Sequence, residues 1–276
     1  CRSKSAKPKN PQNLEAITQF VIEYGLVIVY EYPFNELVRS MLRLEYLFAR
    51  FNHFIRSDDP ELHHNAIAIL FDLGDISARG DIKSLLLKEF ERQKYALNGL
   101  KSSQKVDQEA LTQTLNEIDS VASKINQSAG RPNLIISESE WLNGIRTRLN
   151  IPGGTSPIDL PSYHAWKNSP STERRKLLES YIAPLLPWQD ACQLFLRLLR
   201  QSGEAKDVVA HSGSFQQAPS GKVYQLMRIA VEDDTLFSEI SANKYLLSIR
   251  FMQSDRDKKA QPANKDVSFK LTLCQF

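Results

Sequence analysis

The 276 residues are 42% apolar and 24% charged, which excludes a chain disordered over most of its length. The longest apolar runs, Leu26–Tyr30 and Ala66–Phe71, fall far short of the roughly 20 residues that a spanning helix needs, so no membrane insertion is expected. A net charge of +3 does not by itself indicate nucleic acid.

Residues 1–9 carry Arg2, Lys4, Lys7 and Lys9 and no acid, but Glu15 and Glu23 interrupt the next stretch, so no signal-peptide core is present. The start at Cys1 reads as a fragment or an upstream extension of the frame. Leu14, Ile17, Val21 and Tyr24 mark a short amphipathic helix over 12–24, ended by Gly25. Leu26–Tyr32 reads as a strand, broken by Pro33.

Helical spacing then dominates. Phe34, Leu37, Val38, Met41, Leu42 and Phe51 define one helix. A second opens with Asp59 as N-cap and Pro60 in its first turn, and is expected to end at Gly74. Asp81 and Asp107 are placed as caps of a third and a fourth helix. Ser137–Glu140 reads as a capping box before Trp141–Leu149, which Pro152-Gly153-Gly154 terminates. Two more helices, each opened by a proline, are expected at 170–183 and 187–201.

After Gly203 the period falls to two. Residues 222–231, 244–252 and 267–274 alternate apolar and polar, the pattern of half-buried antiparallel strands. In the middle one, Tyr245, Leu247, Ile249 and Phe251 are expected inside, and Lys244, Leu246, Ser248 and Arg250 outside. The fold class is therefore α+β: a mainly helical domain over 33–203, then a small antiparallel β domain over 204–276. So small a sheet domain is expected to recruit the strand at 26–32.

No catalytic constellation emerges. There is no phosphate loop, GxGxxG, HExxH or GxSxG. His63 and His64 are adjacent, point to different helix faces and read as surface histidines. Cys1, Cys192 and Cys274 offer no disulfide framework and no CxxC pair; they read as reduced structural thiols. No metal and no cofactor are expected, and the chain does not read as an enzyme.

Four strings occur in order. They are Tyr30-Glu31-Tyr32-Pro33-Phe34-Asn35-Glu36 with Arg39–Glu45, Ala78–Lys83 with Leu86–Gln93, Arg148–Gly154 with Asp159-Leu160-Pro161 and His164-Ala165-Trp166, and Glu239-Ile240-Ser241 with Lys244 and Ile249–Met252. Together they resemble the ZapD family of FtsZ-associated cell-division proteins, from about Val27 to Phe276. Residues 1–25 fall outside the resemblance and read as a leader.

The resemblance implies a cytoplasmic homodimer at the midcell division site. Such a protein binds the C-terminal tail of FtsZ, cross-links protofilaments and supports Z-ring assembly without catalysis. It also implies a basic tail-binding pocket containing Arg79, His164 and Arg250, with Lys244 close by. Where the family can carry a second arginine on this last strand, the chain has Leu246, and Lys244 is the nearest compensating cation. Trp166 reads as core, and Arg43 and Arg148 as possible ion-pair partners. The alternative is a nucleic-acid-binding module on the basic sheet face, which would need exposed stacking aromatics there. Placing Tyr245 and Phe251 inside argues against it.

Overall fold

The computed structural model describes residues 27–103, 106–128, 133–219, 221–243, 245–253 and 259–276. The helix expected at 12–24, the leader and Lys244 lie outside them. The chain divides into two compact units: residues 35–200 with Phe276, and residues 201–275 with the strand leading to Phe34.

The first unit is helical. Helix α1 (Glu36–Phe54) starts at Asn35, whose side chain accepts from the Val38 amide. Val38, Met41, Leu44, Phe48 and Phe51 form its buried stripe. Each such side chain taken fully out of water contributes about 1.5–3 kcal/mol. Helix α2 (Pro60–Ser77) begins at Asp59, which accepts from the Glu61 amide. It does not stop at Gly74. That glycine is buried inside the helix, and a Cβ there would come within 3.2 Å of Asn133 Cβ, so close packing rather than termination accounts for it.

Helix α3 (Ile82–Asn98) follows a turn. Asp81 does not cap it: its backbone is already helical and its side chain bonds no helix amide. Helix α4 (Gln108–Gln127) is capped as expected, with Asp107 accepting from the amides of Glu109 and Ala110. A short helix α5 (Leu134–Glu138) precedes α6 (Glu140–Leu149). The cap of α6 is Ser139, bonded to the Leu142 amide, rather than Ser137. Helices α7 (Pro161–Lys167), α8 (Ser171–Ile182) and α9 (Leu186–Gln201) complete the unit. Cys192, buried on α9, is a free thiol that donates to the Met41 carbonyl, and burial pushes its pKa up.

The second unit is two antiparallel sheets on a shared core. Its strands are β1 (Ile28–Pro33), β2 (Ala205–Ala210), β3 (Ser214–Gln217), β4 (Leu226–Val231), β5 (Leu236–Ala242), β6 (Leu247–Gln253), β7 (Gln261–Pro262) and β8 (Val267–Cys274). One sheet runs β1-β4-β8-β2 and the other β3-β6-β5, with β7 on β6. The N-terminal strand is thus recruited: β1 pairs along β4, Ile28 opposite Val231 and Pro33 opposite Leu226. Met227, Ile229 and Val231 of one sheet meet Ile249 and Phe251 of the other, with Phe269 edge-on to Phe251. Strands β2, β3 and β5 carry weaker alternation than β4, β6 and β8, and the sequence pattern does not announce them.

Candidate functional site

The expected site residues among the described ones fall at three places, two in the helical unit and one in the sheet unit. Arg79 lies just past the end of α2, in the turn to α3. It is exposed, and its guanidinium reaches Glu36 Oε1 at 3.4 Å, while Arg39 takes the other oxygen of Glu36 at 3.2 Å. The first two family strings therefore meet through one carboxylate. Lys83, also in the second string, donates to the carbonyls of Asn126 and Ser128 and so caps the end of α4.

His164 is exposed on α7. That helix is held at the opposite end of α2: the Tyr163 hydroxyl bonds His64 Nδ1 at 2.5 Å, and Lys167 pairs with Glu61. From His64 to Arg79 is fifteen helical rises, about 22 Å. The helical unit does not bring Arg79 and His164 together.

The anchor of α7 is an aromatic cluster. The rings of Tyr163 and Trp166 stack at 5.5 Å, and Trp141 meets both edge-on. His63 lies beneath. It is not a surface histidine but fully buried, and it accepts from Arg174 Nε at 3.1 Å. Arg174 is itself buried and donates to the carbonyls of Asp58, Lys167 and Ser169. His64 is half-buried. Burial, then the Lys167 charge, lowers its pKa. Nothing in the sequence announced the His63–Arg174 contact, because 111 positions separate the partners.

The third family string builds a rigid loop. Arg148 pairs with Asp159 at 3.0 Å, and Ser156 donates to the same carboxylate at 2.8 Å. Gly153 has φ +70°, the left-handed region, and a Cβ on Gly154 would lie 2.6 Å from the Arg148 carbonyl oxygen.

Arg250 lies in the sheet unit, mid-strand on β6. Its neighbours across the sheet are Ser214 on β3 and Glu239 on β5. It is exposed and, among the described residues, makes no ion pair. Tyr245 differs from expectation. Strand β6 starts only at Leu247, because Asn243 Oδ1 accepts from the amides of Tyr245 and Leu246 and holds both in a turn. Tyr245 is consequently 72% exposed, so its supposed burial no longer argues against nucleic acid; Phe251 is buried, as expected.

No group of histidines, cysteines or carboxylates able to hold a metal occurs among the described residues, and no helix among them is long and apolar enough to cross a membrane.

The chain is α+β, with Arg250 exposed on β6 opposite Glu239, and with Arg79 and Arg148 held in surface ion pairs to Glu36 and Asp159. The family model described as "ZapD: Cell division protein" matches residues 42–250. Cell division protein ZapD of Ralstonia nicotianae is 44% identical over 252 residues, covering 91% of this chain and 100% of that protein. The proteins of the same name from Bordetella pertussis (45% identical, 90% of this chain and 98% of that one) and Cupriavidus necator (42%, 91% and 100%) also align over nearly their whole length. The chain belongs to the ZapD family of cell division proteins, and its role is in cell division. This is not a known enzyme family.

Proposed function

We propose that this protein binds the C-terminal tail of FtsZ and, as a homodimer, cross-links FtsZ protofilaments at midcell in the cytoplasm. Family membership supports the process. The observation that carries the reading is Arg250, an exposed cation on an ordered strand that, among the described residues, no carboxylate claims. A guanidinium so placed is ready for a charge-assisted bond to an acidic peptide, the strongest class of protein hydrogen bond. Arg79 and His164 contribute less directly in this reading, the first already paired with Glu36 and the second on α7. Lys244 is assigned to the same site from its place two residues before Leu246. The protein acts without catalysis, metal or cofactor.

The test is co-sedimentation and pull-down with intact FtsZ and with FtsZ lacking its tail. Binding to the intact protein alone is the expected outcome; equal binding to both would remove the tail from the account.

The second reading, a nucleic-acid module, is favoured by one observation, the exposed Tyr245 close to the Arg250 strand. Stacking platforms need several aromatics in series. Retention on single-stranded DNA at physiological salt would promote it.

A further inference from the structure

The geometry points to a second element of the binding site: the free edge of β5, which takes up an extended, acid-bearing peptide as an additional strand beside Arg250. This rests on the tail-binding reading and specifies how the tail is held.

Within a strand, a residue's N–H and C=O point to the same side, and successive residues alternate. The Phe251 amide donates to the Gly213 carbonyl, and the Phe251 carbonyl accepts from the Ala263 amide. Phe251, Ile249 and Leu247 therefore address the β3 and β7 side of β6. Arg250, Ser248 and Met252 address β5, where their partners are Glu239, Ser241 and Phe237. The alternate residues of β5, Ser238 and Ile240, consequently direct their N–H and C=O away from β6. Strand β5 is the last of its sheet, and among the described residues neither backbone has a hydrogen-bond partner. Leu236 at the start of the strand is already satisfied, its amide by the Asp233 carbonyl and its carbonyl by the Tyr30 hydroxyl. The open stretch is thus Ser238 to Ile240. The Ser238 side-chain oxygen is also buried without a partner among the described residues.

The other edges are blunted. β1 ends in Pro33, which has no N–H; β2 carries Lys206 near its start; β3 has four residues. β5 has seven residues, no proline and no lysine.

Charge selects the occupant. Added to β5, a strand lies two spacings, about 9.6 Å, from the backbone of Arg250. A guanidinium and a carboxylate extending towards each other close that gap. Glu239 lies on the same face, one strand nearer. It repels an acid directly opposite itself and favours a cation there. The preferred segment therefore bears its carboxylate two residues to one side of that position, over Ser241 and in line with Ser248, about 12 Å from the Arg250 backbone, a gap that a glutamate and an arginine side chain leaning towards each other still close, with an apolar residue turned to the other face beside Ile240. Main-chain bonds supply affinity and these pockets supply specificity, as in other cases of strand addition.

The experiment uses the full chain and a synthetic FtsZ tail peptide. Amide hydrogen exchange is followed at Ser238 and Ile240, with and without saturating peptide. Both amides are expected to slow at least tenfold on binding. Ser238→Pro removes an outward-facing N–H without touching the bonds to β6, so it should keep the melting temperature within a few degrees and weaken peptide binding at least tenfold. Should that variant unfold, the exchange measurement on the unaltered protein decides alone. Peptide binding abolished by Arg250→Glu, with no change in exchange at Ser238 and Ile240, overturns strand addition and leaves the tail-binding reading intact. No peptide binding at all overturns that reading itself. Slow exchange without peptide that sharpens with protein concentration assigns the edge to a second copy of the chain, and overturns the proposal.

Discussion

Arg174 Nε donates to His63 Nδ1 at 3.1 Å, and both side chains are buried. Arginine has only donors, so this bond fixes the histidine as neutral with its proton on Nε2. Protonation would set N–H against N–H. Burial first, then the Arg174 and Arg175 charges, lowers the His63 pKa, with the Ile55 and Ser57 carbonyls acting in the opposite sense. His64, beside Lys167 and Glu61 and bonded to Tyr163, is lowered as well. A histidine whose folded pKa is depressed binds more protons when unfolded, so stability is complete above the unfolded value near 6.5 and declines as pH falls below it. The melting temperature should drop between pH 7 and pH 5. His63→Gln, whose amide oxygen can still accept from Arg174, should flatten that drop; an unchanged slope would assign the acid sensitivity elsewhere.

Arg174→Ala tests the same network at constant pH. It removes donors from the carbonyls of Asp58, Lys167 and Ser169 and from His63. Hydrogen bonds to a charged group are worth about 1.5–3 kcal/mol each, and the stranded acceptors stay buried, so a loss of at least ~3 kcal/mol is expected in urea unfolding. Arg174→Lys should recover little, because a single ammonium cannot span three directions.

Gly154→Ala should destabilise by about 1–3 kcal/mol through overpacking. The new methyl would meet the Arg148 carbonyl oxygen at 2.6 Å and Ile151 Cβ at 2.8 Å, and the backbone must shift. Gly80→Ala, where nothing lies within 4 Å of the added carbon, is the control and should be near neutral in the same melt.

Arg250→Glu should weaken tail binding more than Arg79→Glu. The Arg250 charge is unclaimed among the described residues, whereas Arg79 shares Glu36 with Arg39. Losing a charge-assisted bond costs about 1.5–3 kcal/mol before repulsion is added, so Arg250→Glu should lower affinity at least tenfold in fluorescence anisotropy. Neither change should alter the melting temperature much, since exposed pairs contribute about 1 kcal/mol or less. A larger effect from Arg79 would move the centre of the site to the α2–α3 turn.

The helices were legible in the sequence because their signals are local. Asp59 and Asp107, read as caps, accept from amides within three residues of themselves, whereas Asn35 caps just as locally though it is not among the expected caps, and the expected box puts Ser137 where Ser139 is the cap. Strands β4, β6 and β8 were legible because one face is buried and alternates. β2, β3 and β5 were not, since they lie at sheet edges with both faces partly exposed, and a period of two fades there. Tyr245 misled for a related reason: it continues the apolar alternation of β6, but Asn243 turns the chain before the ladder begins. Asp81 and Gly74 show the same limit. A capping residue and a helix breaker are permissions that packing can decline. For the candidate site, the sequence offers residues but not the distances between them: Arg79 and His164 stand at opposite ends of α2, which only the docking of Tyr163 on His64 reveals.

Bundling should require the dimer, whereas tail binding should not. A monomer offers one copy of the Arg250 surface and can only decorate a filament. A two-fold dimer presents the same surface twice on one body and can bridge two filaments. If each filament presents many tails, as the proposed function requires, such bridges would be multivalent and would hold although every single contact is weak. A tail that is disordered when free gives up entropy on binding, which keeps the single contact weak. The cation involved is exposed, so salt screens it over about 8 Å at physiological ionic strength. A monomeric variant, verified by sedimentation, should therefore bind tail peptide with nearly unaltered affinity yet give no bundles in electron microscopy or light scattering. Bundles formed by the unaltered protein should thin as salt rises from about 0.1 to about 0.5 M, where the Debye length shrinks towards ~4 Å. Circular dichroism over the same range should show the fold intact. Normal bundling by a proven monomer would mean that one chain holds two filament contacts, and the bridging account would have to be rebuilt around a second site on the same subunit.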